Sequence, residues 1–186
     1  MSNAILETIA KRRSHRAYTE APVTDAQLQA LLNAALQSPS AVNRQPWHFS
    51  VVRDQALLCD INAEVTAQMQ KREESARSPR FADPDYNVFY HAPLVIFLSA
   101  DPTWRYSAID CGIAVQNIAL AAESMGLGSV ILGMPRAAFE GARHDEFARA
   151  LHFNAGEEFM IAIAIGTPAD DKDAHPLHDG RISYID

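Results

Sequence analysis

The sequence predicts an α+β fold in one domain, residues 1–186. Helical and strand periodicities share the chain, and two apolar runs, Pro93–Leu98 and Phe159–Ile165, have the length and composition of strands buried on both faces. Between them Trp104 to Met125 reads as a long central helix ended by Gly126. No internal repeat, linker or domain boundary interrupts the pattern.

The elements follow in order. Ile5, Leu6 and Ile9 recur at helical spacing within Ala4–Arg13, and Thr24-Asp25-Ala26-Gln27 has the form of a capping box opening a helix to about Leu36. His48–Val52 reads as a strand and Gln55 to about Glu74 as an increasingly charged helix. Residues 75–87 hold Pro79 and Pro84 among charges and predict an irregular excursion. Gly128–Gly133 is a short strand, Pro135 to about Leu151 a helical segment, and Ile182–Ile185 an edge strand.

Composition removes several classes of function. The 186 residues are 48% hydrophobic and 21% charged with net charge −7, an ordinary balance for a globular domain and a poor one for a nucleic-acid binder. Cys59 and Cys111 lack CxxC spacing and predict reduced, structural thiols. The N-terminus lacks the apolar core of a signal peptide, and the apolar stretch Ser107–Met125 carries Asp110, Gln116, Asn117 and Glu123, which argues against a membrane span. The expected location is the cytoplasm.

The chemistry concentrates in two segments. Lys11-Arg12-Arg13-Ser14-His15-Arg16 gathers cations and a hydroxyl as a phosphate or a flavin's polar edge requires, with Arg12 and Arg16 four residues apart. Basic residues at a helix C-terminus also simply complement its carbonyls. Ser38-Pro39-Ser40-Ala41-Val42-Asn43-Arg44-Gln45-Pro46-Trp47 is a polar turn between two prolines, and alone it reads as a helix-to-strand connection. Gly126-Leu127-Gly128 leads into a strand instead of following one, so it is no dinucleotide fingerprint. Gly133 would let a planar ligand approach the backbone closely, and it reads equally as a plain turn. Ser129 lacks a nucleophile-elbow context. His175, His178 and Asp179 lack a metal-ligand pattern, and no metal site is expected.

These segments, with Asp110-Cys111-Gly112-Ile113-Ala114-Val115-Gln116-Asn117-Ile118 and Gly126-Leu127-Gly128-Ser129, resemble the FMN-dependent nitroreductase family in order and spacing over essentially the whole chain. The resemblance implies a mixed central sheet flanked by helices in an intimate homodimer, with FMN at the subunit interface. It implies an NAD(P)H oxidoreductase: NADH or NADPH reduces the flavin at N5, and a nitroaromatic, quinone or other small acceptor reoxidises it in a ping-pong cycle. No nucleic acid or membrane partner is implied. A flavin-binding storage or sensing protein without turnover is the alternative.

Carried onto this chain, the resemblance gives Arg12, Arg13, Ser14 and Arg16 to the flavin phosphate and pyrimidine edge. It gives Pro39, Ser40, Ala41 and Asn43 to a turn from the other subunit, and Leu132 and Gly133 to the strand end facing flavin N5. Because the flavin performs the chemistry, no catalytic side chain is assigned. The sequence departs from the family in three places. Lys172-Asp173-Ala174 keeps only the lysine of a phosphate-gripping Lys-x-Arg pair, leaving His175 or Arg181 to compensate. Asn87 stands in for a lysine found in some relatives, and Ala41 for a common serine. The chain is also short for the family, which implies a thin cover over the flavin.

Overall fold

The computed structural model describes residues 3–73 and 79–185. Glu74 and the start of the irregular excursion lie outside the described residues, but the third helix, expected to reach about Glu74, already ends at Gln70, where the Lys71 N–H turns back to Met69 O.

Helix α1 (Ala4–Lys11) starts where the Asn3 side chain accepts the Ile5 and Leu6 N–H groups, and it stops two residues before the expected end because Arg12 is extended at ψ 127°. Helix α2 (Asp25–Leu36) opens on the predicted capping box, with the Thr24 and Gln27 side chains each accepting the other's backbone N–H. Strand β1 (His48–Val52) has the predicted bounds. Helix α3 (Gln55–Gln70) is capped by Asp54.

Strand β2 (Leu94–Ala100) is buried at all seven positions, as its continuous apolar run requires. Helix α4 (Ser107–Ser124) begins three residues later than expected. The Asp101 carboxylate accepts both the Thr103 N–H and its hydroxyl, and Asp101 O accepts the Ser107 hydroxyl at 2.7 Å, so Trp104–Tyr106 form a turn instead. Strands β3 (Gly128–Leu132) and β4 (Glu158–Gly166) complete a sheet of order β1-β2-β4-β3 with antiparallel neighbours throughout.

The two faces of this sheet carry separate cores. Val95 and Phe97 of β2 join Ala162 and Ala164 of β4 beneath α3, whereas Leu94, Ile96 and Leu98 of β2 pack beside Ile163 and Ile165 against α2 and α4. Strand alternation thus divides one apolar run between two layers.

Two expectations are corrected. Residues 135–151 do not form one helical segment: Met134–Phe139 is a 3-10 turn and α5 is His144–Ala150. Gly141 lies in the break, pressed so closely on α3 that a Cβ there would fall 2.1 Å from Gln68 Nε2. The tail Ile182–Ile185 is not a strand; it carries no regular structure and is exposed, and without a neighbouring strand an isolated segment gains no ladder hydrogen bonds. Among the described residues no helix is long and apolar enough to cross a membrane.

Candidate functional site

Beyond α1 the chain runs along the outer side of β3. Ser14 forms a parallel bridge with Ser129, the His15 N–H donates to Ser129 O at 3.0 Å, and Tyr18 pairs with Pro168. Gly128 permits this approach, since a Cβ on it would meet the His15 side chain at 3.0 Å. The bridge fixes the arginine cluster at the start of β3.

The cluster holds unused binding capacity. Arg13 Nη1 donates to Ala10 O and Arg12 O at 2.7 and 2.9 Å, closing the end of α1, while its Nε is buried without a partner among the described residues. Arg16 donates to Ser14 O at 3.3 Å and lies over the Tyr90 ring at 5.9 Å. Arg12, Arg13 and Arg16 pair with no carboxylate among the described residues, whereas Arg44, Arg53, Arg143 and Lys172 each do.

A single carboxylate organises this segment from the far end of the chain. Asp170 accepts from His15 Nδ1 at 2.8 Å, the Arg16 N–H at 3.3 Å and Lys172 Nζ at 3.1 Å. Partial burial works against its charge, but the His15, Lys172 and Arg16 hydrogen bonds prevail and hold its carboxyl below the usual range. Lys172 therefore reaches the cluster through Asp170. His175 and Arg181 are exposed in the tail, with no hydrogen bond or ion pair among the described residues.

Gly133 follows β3 at φ −90°, ψ −20°, a conformation open to any L-residue, and a Cβ there would touch nothing within 4 Å. Next to it the Tyr86 hydroxyl donates to Met134 Sδ at 3.8 Å and lies 3.4 Å from the Tyr90 hydroxyl, which also receives Arg80 Nη1 at 3.1 Å. Burial first, then the Tyr90 contact, pushes the Tyr86 phenol up to about 12. Burial also raises Tyr18, which donates to His15 O at 2.8 Å. The Tyr86 and Tyr18 phenols therefore remain hydrogen-bond donors at neutral pH. Tyr90 joins the arginine cluster to the strand end through Arg16 on one side and Tyr86 on the other. Asn87 is buried, and its Oδ1 accepts the Phe89 N–H at 2.8 Å.

The Pro39–Asn43 turn lies elsewhere in the same chain. Ala41 N–H donates to Asp110 Oδ1 at 3.1 Å in the first turn of α4, and the Ser38 hydroxyl accepts from Asn117 at 2.8 Å. Ser14, by contrast, docks just beyond the opposite end of α4. Asp110 and Ser124 alone are separated by about 20 Å of helix at 1.5 Å per residue. Leu132 and Gly133 thus share a region with Arg16, but Pro39, Ser40, Ala41 and Asn43 form a second group.

Two sizeable clefts fall outside the arginine cluster. One, of about 530 Å³, follows the free edge of β1 beside Leu57 and Leu151. The other, of about 470 Å³, is an apolar groove among α1, α2 and α4 that includes Ile5, Ala34, Asn117 and Leu120. Cys111 is buried, which with Asp110 and Glu157 nearby raises its thiol to about 12 and leaves it inert. The described residues contain no cluster suited to a metal ion.

The sequence reading gives no site role to His15, Tyr86, Tyr90, Asp170, Asp110 and Asn117, although His15, Asp110 and Asn117 fall within its motifs. The last pair has a signal: two polar side chains seven residues apart share one face of an otherwise apolar helix. The others come together through contacts between distant parts of the chain, which periodicity does not encode.

Comparison with known proteins gives this geometry its context. Residues 9–167 match the model of the Nitroreductase family. A nitroreductase with bound FMN from Desulfitobacterium hafniense has 34% identity and a TM-score of 0.94, covering all of both chains. The NADPH-flavin oxidoreductase of Vibrio harveyi is 31% identical over 94% of this chain and 70% of its own. An Archaeoglobus fulgidus protein named as a candidate NADH dehydrogenase/NAD(P)H nitroreductase is 33% identical over 94% of this chain and 91% of its own. Motif order, the antiparallel sheet between two helical layers and these matches agree, and the chain belongs to the nitroreductase family of oxidoreductases.

Proposed function

We propose that this chain is an FMN-dependent NAD(P)H oxidoreductase acting on a nitroaromatic, quinone or other small electron acceptor. The observation that carries this reading is a group of three guanidiniums within five residues, none paired with a carboxylate among the described residues, docked at the start of β3, with Arg16 linked through Tyr90 and Tyr86 toward the strand's far end, where the side of Gly133 is open. The residues fit the cofactor. Arg12, Arg13 and Lys172 supply cations for a phosphate, the buried Arg13 Nε is an unused donor, and the space over Gly133 admits a planar ring.

When bound, FMN supplies hydride chemistry in a ping-pong cycle, reduced at N5 by NADH or NADPH and reoxidised by the acceptor. The protein's part is electrostatic and geometric. Arg16 would supply a cation to the flavin's pyrimidine edge, and the Ser14 hydroxyl, which has no partner among the described residues, could donate beside it. Tyr86 stays protonated and, with Tyr90, links Met134 to Arg16. No side chain is required as a general acid or base.

The reading includes a homodimer. The turn at 39–43 and the cluster at 12–16 sit near opposite ends of α4, so a second copy packed antiparallel about a twofold axis across the middle of α4 would bring one chain's turn to the other's cluster. Exposed apolar residues support such an interface: Ile5 and Leu6 on α1 are 69% and 63% exposed, and Ile109 on α4 is 59% exposed. The free edge of β1 and the exposed tail with Ile182, Tyr184 and Ile185 are further surfaces that a partner would cover.

The decisive experiment is the visible absorption spectrum of the purified protein, recorded anaerobically before and after NADH or NADPH, with the released chromophore identified. A yellow protein that releases FMN and bleaches with nicotinamide is expected. A colourless protein that also fails to bind added FMN would overturn the reading. FMN that resists reduction by either nicotinamide would replace it with a flavin-binding protein lacking turnover.

A further inference from the structure

We infer that Asp110 and Asn117 are positioning residues: they clamp the Ser38–Gln45 turn onto α4, and FMN affinity depends on that clamp. The inference rests on the proposed reading, in which this turn contacts flavin bound by the second copy.

The turn has an unfavourable backbone. Val42, Asn43 and Gln45 all have positive φ, at 51°, 55° and 49°. Asn tolerates this region, but a β-branched residue is an outlier there. Val42 is 86% exposed, so side-chain packing does not compensate. Strained backbone of this kind persists where its surroundings over-determine it, and it collects at ligand contacts.

Bonds inside the turn set its shape. Asn43 N–H donates to Ser40 O at 3.0 Å, Arg44 N–H to Ala41 O at 3.1 Å, and Gln45 N–H to Ser40 Oγ at 2.9 Å. None of these fixes the turn relative to the sheet. Asp110 and Asn117 do so, through Ala41 N–H at 3.1 Å and Ser38 Oγ at 2.8 Å, and Asn117 also reaches Ala34 O at 3.4 Å. Arg44 completes the attachment, lying 4.6 Å from the Trp104 ring centroid and pairing with Asp101 at 3.8 Å.

Asp110 is an expensive way to hold one amide. It is 2% exposed, and its Oδ2 is buried without a hydrogen-bond partner among the described residues. A carboxylate so placed carries a desolvation penalty that packing alone would not retain. Its geometric effect is to lock Ala41, at the centre of the turn, to helix α4.

The test compares the wild-type protein with Asp110→Ala, Asp110→Asn and Asn117→Ala. It measures FMN affinity by fluorescence titration, hydrogen-exchange protection of the Ala41 amide, and kcat and KM. Asp110→Ala is expected to lose Ala41 protection and to bind FMN about tenfold more weakly, and Asp110→Asn, which keeps an acceptor oxygen, to restore both. Asn117→Ala is expected to weaken FMN about threefold, as loss of one neutral hydrogen bond does. FMN affinity unchanged in Asp110→Ala, or Ala41 protection retained, would overturn the inference. If Asp110→Ala does not fold, Asn117→Ala decides, because unchanged FMN affinity there has the same force. Failure of the wild-type protein to bind FMN overturns the reading of the site itself, and the wild-type titration separates that result from failure of the clamp.

Discussion

Gly133 separates what the folded chain requires from what a bound ring would require. Its φ and ψ suit alanine and the space beyond its Cα is open, so Gly133→Ala is expected to keep or raise stability by about 0.4–1 kcal/mol. The same methyl would occupy the ring's place, and FMN affinity in a fluorescence titration is expected to fall while Tm does not. Asp170 makes the complementary case. A depressed carboxyl pKa contributes stability above its unfolded value, ordinarily 3.8, and that contribution disappears as pH falls through the folded value. Thermal melts should therefore show wild type more stable than Asp170→Asn at neutral pH, with the gap closing below about pH 4. The arginines are legible in the sequence because their grouping is local. Asp170 is not, because it meets Arg16 across 154 residues of chain.

At the scale of elements, legibility follows the range of the forces involved. The capping box at Thr24 and the doubly buried strand β2 are set by adjacent residues and by composition, and both match their sequence signals. The break between Met134–Phe139 and α5 arises from Gly141 fitting against Gln68, a contact invisible to helical periodicity. Helix α1 poses a different problem: it has no buried residue in the single chain, yet Ile5, Leu6 and Ile9 line one side. Such a stripe suits an interface. In the proposed dimer, charging it with Ile5→Asp and Ile9→Asp is expected to shift sedimentation from dimer to monomer, and to lower FMN affinity along with it. A stable dimer in the double variant would remove α1 from the interface.

At the scale of the whole molecule, the sheet divides two cores and α4 spans the one it shares with α2. The family and the sheet-centred architecture are apparent from motif order. The spatial division of the candidate site is not, because sequence proximity says nothing about which end of a helix a turn will meet. In the proposed homodimer that division has a genetic consequence. Consider two inactive variants, Arg16→Ala and one lacking a functional 38–45 turn, expressed together. In a mixed dimer both lesions fall in one site, and the other site is assembled entirely from intact parts. Random pairing would then restore about one quarter of wild-type sites, so two dead alleles would complement each other, whereas a site built within one chain would leave the cell with none.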